Sequence, residues 1–141
     1  MTKPIFLFDS NVIYRLIREA PDIALGKLTE GSTIYLAYYE LGNALWRECR
    51  LLKKINIEEA EKSLDLMYAL LELMQIATVN SKKGTEIIGV ANRFNLTFYD
   101  AAYLAEAKDN SETLVTDDIK LVKTAEAIGV RTLSSNEIMK S

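Results

Sequence analysis

Five short runs of β-branched and apolar residues alternate with helical segments along the chain, and this alternation restricts the fold more than any other feature. The runs are Ile5–Phe8 after Pro4, Thr33–Ala37 after the Gly31-Ser32 turn signal, Gln75–Val79, Thr113–Thr116 and Val130–Leu133. Helical patterns fill the gaps: Val12–Arg18, a piece started by Pro21, Tyr38–Lys54, and a segment opened by Asn56 that runs through Met74. Three more follow: one from Asn80 or Ser81 towards Phe94, one from Tyr99 to Lys108, and one from Ile119 to Ile128, stopped by Gly129. A helical tail begins at Ser135. Asn56 with Glu59 three residues on forms a capping-box pattern, and Ile57, Ala60, Leu64, Met67 and Leu71 follow at helical spacing. Strands separated by helices predict an α/β fold, with a mostly parallel sheet covered on both faces.

Acidic residues mark the breaks in this pattern. Asp9 ends the first run, Asp117 and Asp118 end the fourth, and Glu40 and Asp100 sit in the first turns of the helices that follow Thr33–Ala37 and precede Lys108. Each acid taken singly is explained by helix capping and the positive end of the helix dipole. Their joint placement suggests more, because an open α/β sheet gathers the carboxyl ends of its strands at one crevice. If the first and fourth strands are neighbours, Asp9 and Asp118 face each other there.

Several carboxylates brought close together cannot all stay ionised unless a cation neutralises them. The chain has no histidine and one cysteine, Cys49, so its donors are oxygens, which suit Mg²⁺ or Mn²⁺ better than zinc. Cys49 lies between Trp46 and Leu52 in an apolar helical stretch and reads as a small core residue. Metal held by carboxylates favours in-line phosphoryl displacement, and so phosphodiester hydrolysis. The net charge of -3 argues against a strongly basic nucleic-acid binder. With five of the 20 acids gathered in one site, however, the remainder are outnumbered by the 17 basic residues, which permits a nucleic-acid substrate. At 141 residues the chain reads as one domain, residues 1–141, able to bury a core without disulfides. No leader pattern opens MTKPIFLFD and no apolar stretch approaches a membrane span, which predicts a cytoplasmic protein without membrane contact.

Four segments together resemble a known family: Phe8-Asp9-Ser10-Asn11-Val12-Ile13, Tyr39-Glu40-Leu41-Gly42-Asn43-Ala44-Leu45, Tyr99-Asp100-Ala101-Ala102-Tyr103-Leu104-Ala105 and Val115-Thr116-Asp117-Asp118-Ile119-Lys120-Leu121. In that order and at this length they resemble the motifs of PIN-domain ribonucleases, and most of all VapC, the toxin of VapBC toxin-antitoxin pairs of archaeal type. The resemblance implies a three-layer α/β/α sandwich around a five-stranded parallel sheet, and supplies the strand order. It also implies that Asp9, Glu40, Asp100 and Asp118 are the catalytic acids that hold Mg²⁺ or Mn²⁺. Asp117, in the variable position of the last motif, either assists at the metal or caps the next helix. Asn11 and Thr116 match polar positions that support the acids. The implied activity is metal-dependent endoribonuclease cleavage, with RNA as substrate, a VapB-like antitoxin as partner and a homodimer as the assembly. A housekeeping PIN nuclease of RNA maturation and a non-catalytic PIN module that binds metal or a partner are the alternatives. The first motif also resembles a haloacid-dehalogenase-like nucleophile loop, but Asn11 stands where that loop has a second Asp.

Three basic residues are candidates for RNA contact. Arg47 shares a helix face with Glu40 and Asn43 at i, i+3 and i+7, and it reads equally as a solvated arginine beside Arg50, Lys53 and Lys54. Arg15 lies near the first motif and Lys120 in the last. Tyr38 and Tyr39 offer rings for stacking on unpaired bases, although core packing is the better reading of aromatics that follow a buried strand. Leu66 to Met74 is apolar on more than one face, which suggests burial against a second chain, either another copy or an antitoxin helix, with the monomer core as the alternative.

Overall fold

The computed structural model describes residues 5–141. Met1–Pro4, part of the stretch read for a leader, lie outside the described residues. The strands are β1 (Phe6–Phe8), β2 (Ser32–Ile34), β3 (Gln75–Ala77), β4 (Thr113–Val115) and β5 (Thr132–Leu133). All pairings are parallel, in the order β3-β2-β1-β4-β5. The chain builds one half of the sheet outward from β1 and then returns to build the other, so the order reverses between β1 and β4. Phe6, Leu7 and Phe8 pair with Thr113, Leu114 and Val115, which sets the ends of β1 and β4 side by side.

The helices are α1 (Ser10–Glu19), α2 (Pro21–Thr29), α3 (Leu36–Trp46), α4 (Ile57–Leu71), α5 (Ser81–Phe94), α6 (Phe98–Asp109), α7 (Ile119–Ala127) and α8 (Ser135–Lys140). Alternation along the strands divides the interior in two. Phe8 and Val115 point to a core built with Val12, Leu16, Leu41, Met67 and Leu71, whereas Leu7 and Leu114 point to one built with Ile87, Leu104, Leu121 and Ala125. Helices α1 to α4 and α8 therefore cover one face and α5 to α7 the other, which gives the expected three layers.

Local signals account for several boundaries. Asn56 and Glu59 form the expected capping box, and Asn80 caps α5 by accepting from Lys83 N. Gly129 follows α7 at φ 78°, a left-handed conformation that glycine adopts freely. Gly31 serves a different need: a Cβ there would lie 2.5 Å from Cε2 of Phe8, so only glycine lets the chain pass the β1 aromatic.

Four expectations change. The second strand stops at Ile34 and Leu36 already begins α3, because parallel pairing extends only from Ser32 to Ile34 against β3. The long helix does not run uniformly to Lys54; after Trp46 it widens into a π-helical turn, Arg47–Leu51, in which no residue is fully buried. Cys49 is consequently half-buried rather than a core residue, since the Ala37, Leu41, Leu45 stripe ends before reaching it. The apolar Leu66–Met74 stretch is also divided: Met67, Leu70, Leu71 and Met74 join this chain's own core, while Leu66 and Leu73 remain exposed.

Candidate functional site

The site begins at the carboxyl end of β1. Asp9 is 5% exposed, and its backbone N–H donates to Val115 O at 3.1 Å, which fixes it beside β4. Its carboxylate caps α1 by accepting from Val12 N at 2.9 Å, and the Thr116 hydroxyl also hydrogen-bonds it. Burial is the main force pushing this carboxyl from 3.8 up to about 6; those two hydrogen bonds resist, and the charges of Asp117 and Glu40 add to the rise. Asp9 is thus a buried acid with like charges for neighbours, an arrangement that a cation relieves.

Glu40, in the second turn of α3, is held from two sides. Its Oε1 accepts from Tyr103 OH at 2.6 Å and from Ser10 Oγ at 3.0 Å. Tyr103 is only 2% exposed, and burial followed by the charge of Glu40 raises its phenol strongly, so it stays a neutral donor. The α6 helix therefore reaches under the sheet end to orient an acid of α3.

Asp100 and Asp118 form the other half. Burial and then the charge of Asp118 raise the Asp100 carboxyl, while Thr97 and Lys120 act in the opposite direction. Asp118 is the N-cap of α7, with Oδ1 accepting from Lys120 N at 2.8 Å and Leu121 N at 3.1 Å. Thr116 ties the two halves together, since its Oγ1 accepts from Asp118 N at 3.1 Å while its hydroxyl reaches Asp9.

The predicted acids thus fall into two charge-coupled sets, Asp9 with Asp117 and Glu40, and Asp100 with Asp118, and do not form one tight ligand shell. Among the described residues, no three acidic or cysteine side chains stand close enough to hold an ion as they are placed. Protein hydrogen bonds explain the spread, because Asp118 caps a helix and Glu40 is held by Tyr103 and Ser10. The donor chemistry nonetheless fits a hard divalent cation: the groups are oxygens, Asp9 is buried, and like charges surround it.

Asp117 is placed differently from its neighbour. Its Oδ1 accepts from Ser135 N at 2.8 Å and its Oδ2 from Ser135 Oγ at 2.7 Å, with the Arg15 guanidinium 3.7 Å away. Both oxygens thereby dock α8, although its charge is still felt at Asp9. Arg15 is committed to the same junction through Ser135 Oγ, Asn136 Oδ1 and Glu19. That engagement argues against its reading as an RNA contact. Lys120 donates to Asn95 O at the end of α5.

Glu40, Asn43 and Arg47 do share one face, and all three line a groove of about 700 Å³ with Ser10, Asn11, Tyr39 and Tyr99. Asn11 is exposed on its wall. The side-chain bonds holding Asp9 and Glu40 come from Thr116, Ser10 and Tyr103. Sequence reasoning missed Ser10 and Tyr103. The available signal was position: Ser10 adjoins Asp9, and Tyr103 follows Asp100 at i+3, a polar hydroxyl among alanines and leucines.

A model of the PIN domain matches residues 6–127. In sequence the chain is 32% identical over 129 residues to exonuclease VapC9 of Pyrobaculum aerophilum, an alignment that covers 91% of this chain and 92% of that protein. The crystal structure of PAE2754 from Pyrobaculum aerophilum superposes with a TM-score of 0.80 at 24% identity, over 97% of this chain and 95% of that one. DNA-bound VapBC from Salmonella typhimurium gives a TM-score of 0.69 at 13% identity, over 94% and 99% of the two chains. At these identities the two solved structures speak for the fold alone.

Proposed function

Because the chain belongs to the PIN domain family, we propose that it is a divalent-metal-dependent ribonuclease, the VapC-type toxin of a toxin-antitoxin pair. The observation that carries this reading is Asp9, buried where β1 meets β4 and raised chiefly by that burial, with the charges of Asp117 and Glu40 adding to it, beside a second acidic pair, Asp100 and Asp118. Asp9, Glu40, Asp100 and Asp118 would hold Mg²⁺ or Mn²⁺. When bound, such an ion stabilises the charge that develops during phosphodiester hydrolysis. Thr116 fixes Asp9, Tyr103 and Ser10 fix Glu40, and Arg47 on the groove wall attracts the substrate phosphates.

The deciding experiment incubates the purified protein with labelled RNA in Mg²⁺ or Mn²⁺, beside EDTA and Asp9→Asn controls. Cleavage is expected only with the metal and with Asp9; equal cleavage by the variant would refute the assignment. The Pyrobaculum relative bears the name exonuclease, whereas our reading is internal cutting. A circular RNA distinguishes them, since an endonuclease linearises it and an exonuclease leaves it intact.

A solved structure from Klebsiella pneumoniae that shares the fold is a toxin-antitoxin complex. For this chain we assign the corresponding partner to the outer side of α4, where Leu66 and, just beyond it, Leu73 are exposed seven residues apart. A second copy of the chain is the other occupant to which that stripe is suited. A toxin arrests growth when produced without its antitoxin while the Asp9→Asn form does not, and a housekeeping nuclease causes no arrest.

A further inference from the structure

Tyr39 and Tyr99 are the most exposed aromatic side chains among the described residues, at 69% and 58%, and both lie on the groove that contains Glu40. Each directly precedes an acid of the site, Tyr39 before Glu40 in α3 and Tyr99 before Asp100 in α6. Two helices from opposite layers of the sandwich therefore bring a ring to the same groove beside the carboxylates.

Tyr39 is backed by further rings. Its ring centroid is 6.1 Å from Tyr35, which lies 4.9 Å from Tyr38, which in turn meets Tyr68 edge-on at 4.8 Å. Tyr68 anchors this series by donating its hydroxyl to Tyr38 O at 2.6 Å and by packing against the α1–α4 core. The exposed ring is therefore supported from behind, as a stacking surface requires. The other walls carry Asn11, Asn43, Arg47 and Glu48 alongside the apolar Leu36, Ala44 and Leu52. Such walls suit a nucleotide, because they offer its base apolar contact and its polar edges and phosphates hydrogen bonds and a cation alongside the rings.

Resting on the ribonuclease reading above, we infer that Tyr39 and Tyr99 form a stacking platform for unpaired bases of the substrate strand, with Arg47 on its backbone. Bases inside a duplex have their π faces already stacked on one another. The platform therefore directs cleavage to unpaired segments of RNA and sets which nucleotide lies over the acids.

The test uses the Asp9→Asn protein and short single-stranded RNAs that carry 2-aminopurine at successive positions, so that binding is read without cleavage. Fluorescence quenching is expected at one or two adjacent positions. Tyr39→Ala and Tyr99→Ala should each weaken binding by roughly tenfold and abolish quenching at one of them. Tyr39→Phe and Tyr99→Phe should preserve both, since the ring and not the hydroxyl is the contact. A duplex of the same sequence should compete poorly at matched salt. Unchanged affinity and quenching in the alanine variants would overturn the inference, as would absence of RNA binding. A changed elution volume with unaltered RNA binding would overturn it too, by assigning the rings to an interface between copies. Wild-type cleavage measured in parallel keeps the premises apart: failure to cut refutes the nuclease, while the binding data decide the platform independently.

Discussion

Asp9 combines three jobs that usually fall to different residues: it ends a strand, caps a helix and sits buried among like charges. The sign of its effect on stability follows from its raised proton affinity. A carboxyl at about 6 in the folded chain and 3.8 when unfolded favours folding most below the lower value. That contribution is lost as pH rises through the upper one, a change of roughly 3 kcal/mol. In EDTA near neutral pH, Asp9→Asn should therefore unfold at a higher temperature than wild type, with the gap closing towards pH 4, because asparagine caps α1 as well as aspartate does. Mg²⁺ or Mn²⁺ should raise the wild-type midpoint and leave the variant unmoved; parallel pH profiles for the two proteins would remove Asp9 from this role. Tyr103→Phe deletes the 2.6 Å bond to Glu40 while keeping the ring. It should cost roughly ten- to a hundredfold in metal affinity or cleavage rate, with the circular dichroism spectrum preserved. The acids themselves were legible as interruptions of apolar runs. Tyr103 was not, because a tyrosine on a buried helix face looks like core until Glu40 arrives from another element.

At the scale of elements, short polar bridges decide how helices meet the sheet. Asp117 satisfies both the backbone N–H and the hydroxyl of Ser135, which is buried at the start of α8. Asp117→Ala would leave those donors unpaired, for a loss of about 1–3 kcal/mol. Proteolysis of α8 should speed up while metal affinity, measured by calorimetry, falls much less than in Asp9→Asn; an equal loss of affinity would make Asp117 a ligand. Gly31→Ala places a methyl 2.5 Å from the Phe8 ring, next to Asp9. The expected cost is about 1–3 kcal/mol in urea unfolding, with reduced cleavage as Phe8 shifts. Helix starts were readable because Asn56 and Asn80 cap through local chemistry. The π-helical turn at Arg47–Leu51 was not, since the local sequence continues an ordinary helical pattern.

Across the whole molecule, one reversal in strand order brings residues far apart in sequence to neighbouring strand ends. The parallel β1–β4 pairing, between segments more than a hundred residues apart, brings Asp9 beside Thr116 and within reach of the Asp117 charge. The outward surface has its own consequence. Leu66→Glu and Leu73→Glu alter exposed positions and should change the stability of the isolated chain by no more than about 0.5 kcal/mol. If α4 docks a partner, the same substitutions will weaken association in analytical ultracentrifugation; unchanged association would move the interface elsewhere. Among the described residues no helix is long and apolar enough to cross a membrane.

What the amino-acid order determined by itself is the alternation of strand and helix, the parallel character of the sheet, and the acids at the breaks. Those follow from side-chain periodicity and capping, which act over a few residues. Only the tertiary structure decided that Ser10 and Tyr103 hold Glu40, that Asp117 turns to α8 while Asp118 caps α7, and that Tyr39 faces solvent. Each of these depends on which surfaces a helix finds when it packs. A side chain's neighbours across 30 or 63 residues of sequence, as for Glu40 with Ser10 and Tyr103, are set by that packing and not by local propensity.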